Sequence, residues 1–383
     1  MATTWHVLTG EYPPDCGGVG DYTAALAAAL ADTGDEVHVW TPSAGPAAGE
    51  AQARRVSLHV LPDVFGRGSR ATLARAFASA PGPVLLQYVP NALGARGGNL
   101  AFCRWFSRLA PRVADVRVMF HEPYFYFRWS RPWSASNGLA LIQRMMARTL
   151  LRGASRVYFS TESWTRYLSA PQPPQTLPVP SSIPIAAGAA EIARVRAAAT
   201  GADHAAQLVG HFGTYGAHVT GQLDARLPAL VARMPSIRLA LLGAGGSAYL
   251  SRLAGAAPAV AARAWAPDRL EPAALACALR ACDLLVQPYP DGITTRRTSA
   301  MAGLKNGVAT VSTTGALTEA VWEETGAVAL APAGDVGAFV DRSEALLRDP
   351  AARTSLASRA ASVYASRFSM EHTLDVLRGP HRS

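Results

Sequence analysis

Apolar and β-branched residues recur along the chain in short runs, separated by longer stretches with a helical period. The runs WHVLTG (5–10), EVHVWTP (36–42), VSLHVLP (56–62), PVLLQYV (83–89), VRVMFHE (116–122) and RVYFST (156–161) have the length of strands. Between them lie Ala/Leu/Arg stretches such as GDYTAALAAALADTG, with the spacing of amphipathic helices. Strands alternating with helices predict parallel sheets covered by helices on both faces. The pattern lapses over APQPPQTLPVPSSIP (170–184), rich in proline and serine and without periodicity, which predicts a linker.

After the linker the alternation restarts. AQLVGHFG (206–213), IRLALLG (237–243), ARAWAP (262–267), CDLLVQPY (282–289), VATVSTT (308–314) and AVALAP (327–332) are the second set of strands. Each half therefore reads as a nucleotide-type α/β unit, with no residue-level repeat between them. The C-terminal stretch beginning LRDPAARTSL is helical, with Ser369 placed to cap a final helix.

Length agrees with this division, since 383 residues exceed one ordinary core and suit two domains. With 49% hydrophobic and 16% charged residues, the chain has a globular composition and no tract that would predict disorder. The net charge of +9 comes almost entirely from arginine, because Lys305 is the only lysine. A basic balance favours anionic partners such as phosphates, nucleotides or membrane lipids. Cys16, Cys103, Cys277 and Cys282 have no metal-ligand spacing, which points to a reducing compartment. The start, MATTWHVLTGEYPPD, lacks the pattern of a signal peptide, and no run of about eighteen apolar residues occurs. The expected location is cytoplasmic, with peripheral contact at the inner membrane face as the allowed extension.

Open α/β sheets bind ligands at the carboxyl ends of their strands, where glycine loops and helix N-termini offer backbone N–H groups. Three segments fall there. In TGEYPPDCGGVGDYTAAL (9–26), Gly17, Gly18 and Gly20 precede a helix. The spacing is not that of a dinucleotide fold, and the second strand lacks the acidic residue that would hold a ribose, so a nicotinamide enzyme is disfavoured. What remains is a loop able to hold a phosphate or sugar, or simply a turn. In VMFHEPYFYFRW (118–129), His121 and Glu122 end a strand, and the following aromatics suit either core packing or a flat acceptor. In QPYPDGITTRRTSAMAGLKNG (287–307), Asp291, Thr294 and Thr295 precede a helix together with Arg296 and Arg297. Arginines there oppose the positive end of the helix dipole, a conflict that a bound anion removes. Adjacent helical positions cannot both face one ligand, so a single arginine is expected to do so, with Thr295 or Thr298 capping the helix.

Taken with GEYPPDCGGVGDYTAALAAALADTGDEVHVWTP, FHEP, CDLLVQPYPDGITTRRTSAMAGLKNGVATVSTTGALTE and RFSMEHTLDVL, the chain resembles the retaining, nucleotide-sugar-dependent glycosyltransferases of family four. The resemblance spans almost the whole chain and implies the GT-B fold: two Rossmann-like domains facing across a cleft, with a C-terminal helix crossing back to the first. The implied divisions are an acceptor domain at 1–169, a linker at 170–184, a donor domain at 185–366 and a crossover helix at 367–383.

The resemblance implies transfer of a sugar from a nucleoside diphosphate sugar to a saccharide, natural-product scaffold or lipid-linked glycan. A non-glycosylating or idle relative is the alternative. No metal is implied, no cofactor beyond the sugar nucleotide as co-substrate, and no nucleic acid. The family's paired glutamates fall on Asp291 and Ser299, and its diphosphate-binding Arg and Lys fall near His211 and Gly216. The implied roles are His121 and Asp291 at the reacting centre, and Arg296, Thr294, Thr295, Gly213 and Thr214 on the diphosphate. Asp291, Gly292 and Ser299 would hold the donor sugar or ribose; Gly17, Gly18, Asp21 and Glu122 would form the acceptor-side loop.

Overall fold

A computed structural model describes residues 2–379 apart from 15–16, 43–54, 110–112, 114, 126, 128–129, 131–132, 202, 204 and 268. The chain divides into two units. One comprises the residues up to Pro178 together with those from Thr373 onward, and the other is Val179–His372.

The first unit is built on seven strands: β1 (Thr4–Leu8), β2 (Glu36–Thr41), β3 (Val56–Val60), β4 (Val84–Tyr88), β5 (Val116–Phe120), β6 (Arg156–Phe159) and β7 (Gln175–Thr176). They lie in the order β3-β2-β1-β4-β5-β6-β7, and every neighbouring pair is parallel. Every residue of β4 and β5 is buried, which is why these strands read as continuous apolar runs rather than alternations. The order reverses between β1 and β4, and ligands of such sheets gather at the carboxyl ends beside that reversal.

In the second unit, β8 (Leu208–Phe212), β9 (Arg238–Leu242), β10 (Ala264–Trp265), β11 (Leu284–Gln287), β12 (Thr310–Thr314) and β13 (Ala329–Pro332) form a parallel sheet in the order β10-β9-β8-β11-β12-β13. Its reversal lies between β8 and β11. Leu223, Leu227 and Leu230 of the helix Ala217–Arg233 pack one face with Phe339 and Val340, while Leu275 and Leu279 of the helix Pro272–Ala281 pack the other. Each such side chain contributes about 1.5–3 kcal/mol by leaving water. Both sheets are Rossmann-like, the α/β architecture expected for GT-B.

The stretch 170–184 is not a uniform linker. Gln175–Thr176 adds the edge strand β7 to the first sheet, and the units change at Pro178. The second change comes after His372 rather than before residue 367. Tyr364 and Phe368 stay in the second unit: the Tyr364 hydroxyl accepts from Ser181 N at 3.1 Å, and Phe368 packs on Trp322 at 5.3 Å. The last helix, Met370–Arg378, has its His372 N–H capped by Ser369 Oγ at 3.2 Å. From Thr373 on it joins the first unit. Arg117 donates to Leu377 O, Arg156 to Gly379 O at 2.7 Å, and Arg378 meets Asp35 at 2.6 Å.

Cys103, Cys277 and Cys282 are buried free thiols, and burial pushes Cys103 and Cys282 up to about 12, which leaves them inert. Cys16 lies outside the described residues. Among the described residues no helix is long and apolar enough to cross a membrane.

Candidate functional site

At the carboxyl end of the first sheet, the glycine loop leads into the helix Gly18–Asp32. Glu11 turns back over the start of that helix and accepts from Val19 N and Gly20 N, both at 3.1 Å. A Cβ on Gly17 would stand 2.4 Å from this carboxylate, so a larger residue there would push Glu11 off the helix start. The helix start that could have bound an external phosphate is therefore satisfied from within, which leaves the sugar-binding and turn alternatives for the loop at Gly17 and Gly18. Asp21, in the first turn of the helix, and Glu122 are exposed.

His121 follows β5 and is 5% exposed. Its Nε2 donates to Gln87 Oε1 at 2.7 Å, and the Tyr22 ring meets it edge-on at 5.4 Å. Gln87 is the lone polar residue of β4. That break in an apolar strand is a signal the sequence contained. Tyr124 belongs to the core rather than to an open aromatic face: its hydroxyl donates to Tyr167 O at 2.8 Å, and Arg144 lies 4.2 Å over its ring. Positions 126, 128 and 129 of the aromatic run lie outside the described residues. In the stretch 99–120, Phe102 and Phe106 are also core residues.

At the carboxyl end of the second sheet, a pocket of about 280 Å³ is lined by Gly213, Thr214, Arg296, Arg297 and Ser299, with His211, His218 and Tyr289. Arg297 is the N-cap of the helix Thr298–Lys305, not an interior position, so both arginines line the pocket. The two therefore do not occupy the adjacent helical positions that the sequence suggested. Arg297 lies 4.5 Å over the Tyr289 ring, whose hydroxyl is 2.9 Å from Ser299 Oγ. Two helix starts reach this pocket: Thr298 and Ser299 of that helix, and His218 and Val219 of the helix Ala217–Arg233. Neither has a side-chain cap, so partial positive charge adds to that of the guanidiniums. No Asp or Glu is among the lining residues.

Thr294 and Thr295 do not line this pocket. Both are 1% exposed, and the Thr294 hydroxyl has no partner among the described residues. Thr295 does not cap the helix either. Its N–H and hydroxyl both donate to Glu319, at 2.5 and 2.6 Å. Glu319, itself 4% exposed, also accepts from Trp322 Nε1 at 3.2 Å. Thr295 thus anchors the loop that presents the arginines, and Glu319, which the sequence reading passed over, is the anchor point.

Asp291 is exposed and lies outside the pocket lining. Gly292 has φ +88°, and a Cβ there would meet Gly315 N at 2.4 Å, so the Asp-Gly pair brings two loops together. Tyr215, beside the pocket, has φ +54°, strained for a tyrosine; its ring is held against His211 and Tyr249, each at 5.2 Å.

Residues 17–181 match the family model described as a glycosyl transferase 4-like domain. This protein carries a glycosyltransferase domain. A search of curated proteins returns no match. Among solved structures, sucrose-phosphate synthase from Thermosynechococcus elongatus is similar at 16% identity and TM-score 0.68, covering 98% of this chain and 97% of that one. HepE of Anabaena in complex with UDP and glucose gives 16% and 0.69, with 98% of each chain covered. A glycosyltransferase from Rickettsia africae gives 11% and 0.68, covering 99% of this chain and all (100%) of its own. These likenesses establish the GT-B fold of the glycosyltransferase.

Proposed function

We propose that this glycosyltransferase moves a sugar from a nucleoside diphosphate sugar to a hydroxyl-bearing acceptor, with retention and without a metal. The observation that carries the reading is the acid-free pocket of the second unit, where Arg296, Arg297 and two uncapped helix starts concentrate positive charge. That arrangement suits a diphosphate, whose charge grows as the glycosidic bond breaks. Arg296 and Arg297 neutralise it, the backbone of Gly213–Thr214 approaches it, and Ser299 and Tyr289 supply neutral hydroxyls in place of a second carboxylate. HepE, a structural relative, has been solved with UDP and glucose and with UDP-glucose, which supports a nucleotide sugar as donor. Retention rests on the likeness to family four.

Asp291 serves the hydroxyls of the donor sugar. The acceptor belongs to the first unit, where His121, oriented by Gln87, stands near Tyr22. Glu11 already occupies the helix start of that unit, which favours an acceptor that presents hydroxyls rather than phosphate. A saccharide, a natural-product scaffold or the glycan of a lipid-linked carrier fits this description.

A thermal-shift screen of nucleoside diphosphates tests the donor reading before any acceptor is known, because a ligand that binds only the folded state raises the melting temperature. One or more are expected to raise it by several degrees at millimolar concentration. The absence of any shift removes the donor site. Once an acceptor is found, turnover in excess chelator and the anomeric configuration of the product test metal independence and retention.

A further inference from the structure

His211 lies in β8, among Leu, Val, Gly and Phe, and lines the basic pocket. Its Nδ1 is 2.8 Å from Val286 O. A carbonyl only accepts, so Nδ1 carries the proton, and in the neutral ring Nε2 is a lone pair. No described residue bonds to Nε2. That nitrogen is buried, and it lies against Gly213, where a Cβ would stand 3.1 Å away, so no Gly213 side chain stands between it and the pocket.

Burial lowers the pKa of His211 to about 4, so the ring of the empty pocket is neutral at neutral pH. The charged and titratable groups around it are Arg296 and Arg297 from the loop after β11, His218 from the helix Ala217–Arg233, Tyr215 from the loop after β8, and Tyr289 after β11. None is acidic. Without a ligand, the two guanidiniums oppose a second proton on the imidazole. A phosphate oxygen reverses the preference: it repels the lone pair but accepts a charge-assisted hydrogen bond from the protonated nitrogen.

We propose that donor binding is proton-linked: His211 takes one proton from solvent as the diphosphate enters and then donates to it through Nε2. This rests on the reading of the pocket as the diphosphate site and goes beyond it by making donor affinity depend on pH. No bond of the donor forms or breaks in the step.

The test is titration calorimetry of the full chain with UDP-glucose, or whichever of its ADP, GDP and dTDP counterparts raises the melting temperature most. Both phosphates of such a donor are esterified and do not titrate between pH 5 and 8, so a proton taken up belongs to the protein. Runs at pH 7 in buffers of different ionisation enthalpy are expected to give net proton uptake. Affinity is expected to rise by up to about tenfold per pH unit on going from pH 8 to pH 6. His211→Gln should bind more weakly and without uptake, whereas His218→Gln should retain it.

Wild-type binding with no proton uptake and a flat pH profile overturns the inference alone. So does uptake that survives in His211→Gln. If none of these sugar nucleotides binds, the donor-site reading falls and the inference falls with it.

Discussion

At the carboxyl end of the first sheet, a glutamine of β4 holds a histidine that follows β5, and a carboxylate, Glu11, closes the nearest helix start. At the same end of the second sheet, a histidine of β8 is bonded through one nitrogen only, two arginines stand in the loop, and two helix starts have no side-chain cap. The two ends share an architecture and differ in charge. One carries Glu11, Asp21 and Glu122; the other has no acid in its lining. Similar backbones thus present different charge environments. An anion gains nothing at a helix start where the protein already supplies its own carboxylate, and gains most in a pocket whose lining charges are positive.

The largest expected effect comes from removing those charges. Arg296→Ala with Arg297→Ala should weaken nucleoside diphosphate binding by about 100- to 10,000-fold, two charge-assisted hydrogen bonds being lost. Each single variant should bind more weakly than the wild type and more tightly than the double variant, and Arg297→Ala also removes the contact with the Tyr289 ring. Calorimetric titration measures both. Equal and small losses would end the contrast between the two sheet ends.

Next in size is the converse experiment on the first unit. On the proposed acceptor role of the first unit, His121→Ala is expected to lower turnover by about 100-fold while leaving donor affinity unchanged. Single-turnover kinetics beside equilibrium donor binding separates the two quantities. A variant with full turnover would return His121 to a purely structural role.

These two experiments also mark what the chain declares on reading. The alternation of apolar runs and helical stretches identifies both sheets, because buried parallel strands need apolar residues on both faces. Arg296 and Arg297 stand out as cations at a helix start, and His121 as a polar residue after an apolar strand. What stays hidden depends on contacts distant in sequence. Nothing local tells that Glu11 reaches forward to Val19 and Gly20, or that Thr295 directs its N–H and its hydroxyl to Glu319, twenty-four residues away. Arg296 and Arg297 precede the helix, which begins at Thr298, so the spacing of helical positions does not govern which way they point. Gln87 and His211 were legible in principle, each being a polar residue inside an apolar strand.

A smaller effect follows from loosening that loop without touching its charges. Glu319→Gln keeps the shape but weakens the acceptor for Thr295 and Trp322, at an expected cost of about 1–3 kcal/mol. The melting temperature should fall by several degrees and donor affinity by roughly tenfold, since the arginines lose a fixed position. If affinity is unchanged while stability drops, presentation by the loop does not matter to the pocket.

The smallest effect compares the acid response of the two units. At the edge β1-β2-β3, His6 accepts from Trp40 Nε1 at 3.2 Å and donates to Ala80 O at 2.7 Å, so its ring is fixed neutral. His38 and His59 share one hydrogen bond of 2.9 Å, which requires a lone pair from one of them. Burial lowers the pKa of both His6 and His59, and neighbouring histidine charge lowers them further. In the unfolded chain each titrates near about 6.5, so as pH falls below that value the unfolded state binds protons that the folded state does not. Stability should therefore be flat above about pH 7 and decline between about pH 6.5 and pH 5, before most carboxylates titrate. His211 acts with the same sign in the second unit, its folded value standing at about 4. Urea midpoints across this range should fall less steeply in His59→Asn than in the wild type. A diphosphate ligand should flatten the decline further by stabilising the protonated His211, and should do so in His59→Asn as much as in the wild type.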